Sequence, residues 1–374
     1  MNFPSFADTE AFMGLGKSCS RVLANWQDFN NLCYNGIRPI GSAIYFGIAH
    51  LFSSDPITIN YITLALNLFS FFIISYSIIT FFSTRNPNGD LCLNVFESFV
   101  IIAIGLILSI SVIPVALSDI SSAAPFSLAT AILFNNRLNT RNAFWIGLLF
   151  GISCLLRQYY YAFTTLAIIS YLIFDKNQLS KENIRPYVLL AVGCSPSLYQ
   201  FYLTWIHSGS LWVYDSKSAS LNGIANLQPY VEMLIYTNPH NAAYLTEIVG
   251  PHLNSFTFFC IKLMKGLYSF YPAVYLGESP LASEPQKIII NDFFILKSYI
   301  SFFSLILITA FGLWKFPINL KRLLLSTLLI TITFAAIGHV ESRYFFFSRF
   351  VYISVFTIMA IRFFRKPSSE KNTS

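Results

Sequence analysis

Apolar stretches long enough to cross a bilayer recur along most of this 374-residue chain. A helix needs about 20 apolar residues to span the hydrocarbon core of a membrane. Charged residues make up only 11% of the chain, whereas a soluble domain carries about 25%. The pattern therefore predicts an all-α, polytopic transmembrane helix bundle of about nine spans. The predicted spans are residues 57–82, 94–117, 120–135, 143–157, 158–174, 187–206, 292–314, 323–338 and 344–363.

Two further apolar stretches fit a helix in the membrane interface better than a span. Residues 39–53 are too short to cross, and residues 254–276 contain Lys262, Lys265 and Pro272. The chain then divides into four regions. These are an outer acidic loop with an interfacial helix at 1–56, an N-terminal transmembrane bundle at 57–206, an outer loop with an interfacial helix at 207–291, and C-terminal transmembrane helices with a cytoplasmic tail at 292–374.

Basic residues orient this bundle, because Lys and Arg are enriched in short cytoplasmic loops. If residues 1–56 lie outside and the spans alternate, the inside loops and the tail hold more than half of the basic residues. The outer loop 207–291 contains few Lys and no Arg. We therefore predict a multi-pass protein of a bacterial inner membrane whose functional face points outward.

The net charge of +7 is scattered over these loops, so it serves as a topology signal and predicts no nucleic-acid partner. The six cysteines show no CxxC or CxxH spacing, and several lie inside apolar runs. Buried free thiols are the interpretation we favour for them.

Three acidic residues are candidates for acid–base chemistry on the outer face. Asp8 and Glu10 stand two residues apart near the N-terminus, where one carboxylate can act as a base and the other position it or bind a metal. The alternative is an ordinary solvated acidic terminus. Asp119 ends a predicted span, where it can join such a site or simply cap the next helix.

Two arginines are candidates for binding an anion. Arg38 directly precedes Pro39 at the start of the first interfacial helix, where it can bind a phosphate or anchor the helix to lipid headgroups. Arg157 lies between two apolar arms, and an arginine at membrane depth is retained for a partner or a cavity. An anionic partner is expected for it, whether the arms form one helix or two.

A third group of polar residues follows the eighth predicted span. His339 and Arg343 share a helical face if the helix continues, and with Glu341 and Tyr344 they form a set of donors for a phosphate or a sugar. The alternative is a surface pair between Glu341 and Arg343, which contributes little energy.

Four stretches, taken in order, resemble the polytopic GT-C glycosyltransferases, in the branch of the protein O-mannosyltransferases and the aminoarabinose-type lipid A transferases. They are FADTEAF with Asp8 and Phe12, GIRPIGSAIYFGIAHLF with Arg38, FWIGLLFGISCLLRQYYYAF with Arg157, and GHVESRYFFFSRFVYIS with Glu341, Arg343 and Tyr344.

The resemblance implies an enzyme that takes a sugar from a polyprenyl-phosphate donor and transfers it to a glycolipid, polysaccharide or protein. Asp8 would deprotonate the acceptor hydroxyl, with inversion at the anomeric carbon. Arg38 and Arg343 would stabilise the departing phosphate. Asp119 matches a second acidic position, which with Asp8 could hold a divalent cation, although no cofactor is firmly implied.

Two departures from that family pattern leave other readings open. In the family a transmembrane helix precedes the acidic loop, and here only seven residues precede Asp8; the family's adjacent Asp-Glu pair is also separated by Thr9. An inactive truncated relative is one alternative. A flippase or polymerase of lipid-linked polysaccharide is another, although polymerases carry an Arg-rich outer loop.

Overall fold

A computed structural model describes residues 7–25, 32–35, 38–83, 93–109, 118–136, 138–174, 184–209, 292–337 and 345–364, together with 260, 263, 264, 267 and 270. Every regular element within these residues is helical. The helices are α1 (Ala7–Asn25), α2 (Ile40–Phe52), α3 (Pro56–Ser83), α4 (Val95–Ser109), α5 (Ser118–Asn135), α6 (Thr140–Leu156), α7 (Tyr160–Ile173), α8 (Ile184–Cys194), α9 (Leu198–Ser208), α10 (Asp292–Lys315), α11 (Ile318–Ile337) and α12 (Phe346–Phe364).

Four helices in the described part of the chain, α3, α10, α11 and α12, are long and apolar enough to cross a membrane. The helices α2, α4, α6 and α7 are apolar but shorter. A helix satisfies its own backbone hydrogen bonds, which is what a segment in lipid must do. The all-α, membrane-type architecture is therefore confirmed, while the count of nine spans stays a prediction.

Polar contacts at one end of the bundle show how neighbouring helices run. Asn319, at the start of α11, donates to the carbonyl oxygen of Phe81 at 2.7 Å and to Oδ1 of Asn135 at 3.0 Å. Near the end of α12, Arg362 donates from Nε and Nη2 to the two carboxylate oxygens of Glu97 at 3.0 and 3.1 Å. Ends of α3, α5 and α12 thus meet starts of α4 and α11, as an alternating up-and-down arrangement requires.

Three helices, α1, α2 and α9, form a second hydrophobic cluster at the opposite end of the bundle, which we call the cap. Its buried members are Cys19, Val22, Cys33, Tyr34, Ile40, Ala43 and Leu203. The hydroxyls of Tyr34 and Thr204 are 2.8 Å apart, and Gln200 accepts a hydrogen bond from the backbone N–H of Ile40 at 3.1 Å. The cap therefore holds the segment before α2 against α9.

The N-terminal acidic segment is helical over residues 7–25, where the sequence suggested an extended segment or loop. The assignment of residues 1–56 to the outer side stays a prediction. Helix α1 has no continuous apolar run, but Phe12, Gly16, Cys19 and Val22 recur at helical spacing and are all buried. A Cβ on Gly16 would lie 2.8 Å from Cβ of Phe46, so glycine permits the close contact of α1 with α2. The helix depends on this tertiary packing, which composition alone does not reveal.

Cys19 and Cys33 form a disulfide, so the interpretation of buried free thiols is wrong for this pair. Cys154, Cys194 and Cys260 are free. The fold of the cap brings the two Cα atoms to 4.4 Å across a sequence separation of 14 residues. A cross-link that closes a loop of this size contributes about 3 kcal/mol through the unfolded state.

The predicted span 187–206 is not one continuous helix. Residues Ser195–Ser197 form a 3₁₀ turn between α8 and α9, and Pro196 stands in it. Proline removes a backbone donor and clashes with the preceding turn, so it breaks helices. The break lets α8 pack in the bundle while α9 joins the cap.

Glycines allow the close crossing of α6 and α8. A Cβ on Gly147 would overlap the carbonyl oxygen of Leu190, and a Cβ on Gly193 would overlap that of Phe144. Gly151, four residues after Gly147, lies against Cys194. Small residues at this spacing let the backbones of membrane helices approach each other closely.

We predict that Gly147→Leu lowers the unfolding temperature in detergent, with a loss of stability of at least about 1–3 kcal/mol from overpacking. The matched control is Gly14→Ala on α1, where a Cβ meets nothing within 4 Å. That control should leave stability unchanged or raise it, because alanine favours helix. An unchanged unfolding temperature for Gly147→Leu would contradict the close packing.

Candidate functional site

A buried ion pair joins three helices at the cap end. Asp119 lies in the first turn of α5, Arg157 is the C-cap of α6, and Tyr159 is the N-cap of α7. Nη2 of Arg157 donates to Oδ2 of Asp119 at 3.1 Å, and the Tyr159 hydroxyl donates to Oδ1 at 3.1 Å. Asp119 is 2% exposed and Arg157 is 6% exposed. The anionic partner expected for Arg157 is therefore Asp119, and the two apolar arms around Arg157 are separate helices.

This geometry favours a positioning role for Asp119. Each of its carboxylate oxygens accepts a hydrogen bond from a fixed donor, whereas a general base must be within reach of the substrate's proton. No group of three or more potential metal ligands from His, Cys, Asp and Glu occurs among the described residues. Asp119 as a catalytic acid–base residue or metal ligand stays a hypothesis from the sequence.

Two guanidinium groups face one buried aromatic ring. The Cζ atoms of Arg38 and Arg157 lie 4.8 and 5.0 Å from the centre of the Phe12 ring, and Phe12 is fully buried. A cation over an aromatic face is stabilised by the ring's quadrupole, and more so away from water. Phe12 thus contacts both cations, and it couples α1 to the start of α2 and the end of α6.

The start of α2 fixes where Arg38 lies. Pro39 is the N-cap of α2, as the sequence predicted, and the backbone N–H of Arg38 donates to Oδ1 of Asn35 at 2.9 Å. The backbone of Gly41 lies close to the backbone of Leu155. A Cβ on Gly41 would lie 2.6 Å from the carbonyl group of Leu155. This close contact seats α2 on the end of α6, two residues from Arg157.

Asp8 and Glu10 lie in α1, and only their backbone belongs to the described structure. Position 8 is one helical turn before Phe12, and positions four apart share a helix face. Position 10 does not share that face, because residues two apart point in different directions. Position 8 therefore lies on the same face of α1 as Phe12, and position 10 does not.

The four residues predicted after the eighth span lie outside the described part of the chain. They are His339, Glu341, Arg343 and Tyr344. Their roles as donors for a phosphate or a sugar stay predictions.

Two polar residues at this end were missed from the sequence. Tyr159 follows Arg157 in an aromatic run, and its role depends on a contact with Asp119 that no local motif encodes. Arg349 lies in the first turn of α12 and is 1% exposed. Its neighbour Phe347 contacts the ring of Phe126 in α5, with ring centres 5.2 Å apart. The sequence signal for Arg349 was its place inside a predicted span, where an arginine costs free energy unless it has a partner or a function.

His50 ties α2 to α1 beside the site. Burial lowers the pKa of the His50 imidazole, a hydrogen bond to the backbone of Met13 opposes that shift, and the charge of Lys17 adds to it. His50 is therefore neutral at pH 7. It contributes no charge to the arginines at the other end of α2.

We predict that Asp119→Asn and Arg157→Gln each lower the stability of the protein by about 3 kcal/mol or more, because each leaves a buried charge without its partner. The double variant should be less destabilised than the two losses added, since the second substitution removes that charge. Thermal unfolding of the four proteins in the same detergent measures this coupling. Arg141→Gln, at an exposed position at the other end of α6, is the control and should not change stability. Additive losses would contradict the pair.

Comparison of the chain with models of known families, with curated proteins and with solved structures finds no match.

Proposed function

We propose that the protein is a membrane glycosyltransferase of the GT-C type, which transfers a sugar from a polyprenyl-phosphate carrier to an acceptor hydroxyl. The observation that carries this proposal is the approach of Arg38 and Arg157 to the single buried ring of Phe12. These two arginines are far apart in the sequence, and both lie in stretches that resemble the family.

The charge of this group suits a phosphate ligand. Besides the ion pair of Arg157 with Asp119, this group of described side chains includes a second cation, the guanidinium of Arg38. In a site with little water this charge acts on an anion more strongly than it would in solution. Arginine also matches the geometry of phosphate oxygens through its planar set of donors.

The transfer step balances with these residues in the proposed roles. Asp8 accepts the proton of the acceptor hydroxyl, the acceptor oxygen bonds to the anomeric carbon, and the bond between that carbon and the phosphate oxygen breaks. The phosphodiester becomes a monoester and gains a second negative charge. Arg38 and Arg157 stabilise that charge where it develops, which is how fixed cations accelerate such reactions.

The remaining residues complete the proposed site. Tyr159 and Asp119 hold the guanidinium of Arg157 in place. Glu10 keeps its predicted role beside Asp8, as a positioner of the base or a ligand of a divalent cation. His339, Glu341, Arg343 and Tyr344 keep the substrate-binding roles that the sequence predicts.

A membrane location follows from the chemistry of the donor. A polyprenyl chain stays in lipid, while the sugar phosphate must reach polar groups at the surface. The arginines lie at the end of a bundle of apolar helices, and we propose that a lipid-borne phosphate approaches them there while its chain stays in the bilayer. We place this end on the outer face of a cell membrane.

We predict that Arg38→Gln weakens binding of undecaprenyl phosphate by about tenfold to a hundredfold, the loss of one charge-assisted hydrogen bond to a phosphate. The measurement is a titration of the purified protein in nanodiscs, with undecaprenol as the uncharged comparison. Arg38 is preferred to Arg157 because it is not part of the buried ion pair with Asp119. Arg141→Gln is the control and should bind like the wild type. Equal binding of the phosphate and the alcohol by the wild type would contradict a phosphate site.

We further predict that Asp8→Asn abolishes sugar transfer while the protein still inserts and binds undecaprenyl phosphate, because the amide cannot accept the proton. Mass spectrometry of glycolipids and glycoproteins from cells with and without the gene identifies the product, and the variant is then scored on that product. Asp55→Asn, at an exposed position before α3, is the control. Normal product in the Asp8 variant would exclude this base. Phosphate binding without any product in the wild type would favour a carrier of lipid-linked sugars over an enzyme.

A further inference from the structure

The Cys19–Cys33 disulfide lies next to the cationic site in the chain and in space. Cys19 follows Phe12 by seven residues on the buried face of α1, and Cys33 precedes Arg38 by five residues. Both cysteines are fully buried in the same cluster as Tyr34 and Ile40. The cross-link therefore joins the helix that carries the ring to the segment that carries one of its two cations.

Helix α1 docks on α2 through one face, where Phe12 and Gly16 contact Phe46. It buries one narrow face, while Gly14, Lys17 and Arg21 on its other sides are exposed. A helix of this kind depends on docking to its neighbour, here α2. A covalent link in the middle of α1 makes that docking permanent, because α1 can no longer separate from the segment before α2.

Disulfides persist in oxidising compartments and are rare where glutathione and thioredoxin keep thiols reduced. In the described residues, Arg141, Arg185, Lys315, Lys321, Arg322 and Arg362 lie at the other end of the bundle, and Lys17, Arg21, Arg38, Arg157, Lys297 and Arg349 lie at the cap end. These basic residues favour neither end as the cytoplasmic one. The orientation inferred here therefore rests on the disulfide.

We infer that the Cys19–Cys33 disulfide is a clamp, formed on the oxidising side of the membrane, that keeps Phe12 in contact with Arg38 and Arg157 and so makes the anion site depend on oxidation. The cap end faces the periplasm, lumen or cell exterior. A chain that is reduced, or that is held on the cytoplasmic side, lacks an assembled site.

The oxidation state is tested in a variant in which Cys92, Cys154, Cys194 and Cys260 are serine. Protein from membranes is denatured in SDS and treated with a maleimide carrying a polyethylene glycol chain. We expect no mass shift without reductant and two additions after reduction. Labelling of both thiols without reductant would overturn the inference.

The orientation is tested by single cysteines in that background. Ser54→Cys lies at an exposed position between α2 and α3 at the cap end, and Asn136→Cys lies at an exposed position after α5 at the other end. A membrane-impermeant maleimide added to intact cells should label position 54 and not position 136. The reverse pattern, or equal labelling of both, would overturn the assigned side. These two tests use no sugar or lipid ligand, so their outcome is independent of the proposed function.

The clamp itself is tested by binding, and this part rests on the proposed function. Cys19→Ser/Cys33→Ser should weaken binding of undecaprenyl phosphate about as much as Arg38→Gln does, tenfold or more. Cys154→Ser, which removes a buried free thiol, should leave it unchanged. Wild-type protein reduced with dithiothreitol provides the same measurement if the double variant does not fold. Unchanged binding after full reduction, in protein that binds the lipid phosphate when oxidised, would overturn the clamp and leave the proposed function standing.

Discussion

The buried contact of Arg157 with Asp119 is the interaction on which the arrangement of this end of the bundle depends. An arginine removed from water needs an anion, and here the start of α5 supplies one by packing against the end of α6. The hydroxyl of Tyr159 then orders the start of α7 on the same carboxylate. One ion pair therefore sets the positions of three helix ends. It also holds the guanidinium of Arg157 where it contacts the ring of Phe12.

The cap gives that ion pair a second function. Without α1, Arg157 would be a structural residue with its charge compensated by Asp119. With α1 in place, the ring of Phe12 also contacts the guanidinium of Arg38, whose Cζ lies 4.8 Å from the ring centre. The proposed site for an anionic headgroup thus depends on the docking of α1, and we infer that this docking depends on the cross-link between Cys19 and Cys33. Stability of the bundle and assembly of the site are therefore separate properties.

Parts of this site were predictable because their physical cause is local. An arginine in an apolar run requires a partner, which identified Arg157, and Arg38 before Pro39 identified the start of α2. Asp119 followed from its place at the end of a span. The partner of each residue was not predictable, since Asp119 and Arg157 are joined across two helices. The acidic N-terminus was taken for a loop because α1 buries glycine and cysteine rather than a run of large apolar side chains.

The sequence by itself determined that this chain is helical and built for a membrane, because long apolar runs and few charges leave a backbone no other way to satisfy its hydrogen bonds. Only the tertiary structure decided that Cys19 pairs with Cys33, that Pro196 divides one predicted span between the bundle and the cap, and that Phe12 meets two arginines. These features come from side chains far apart in sequence, whose approach is fixed by packing and by no local pattern.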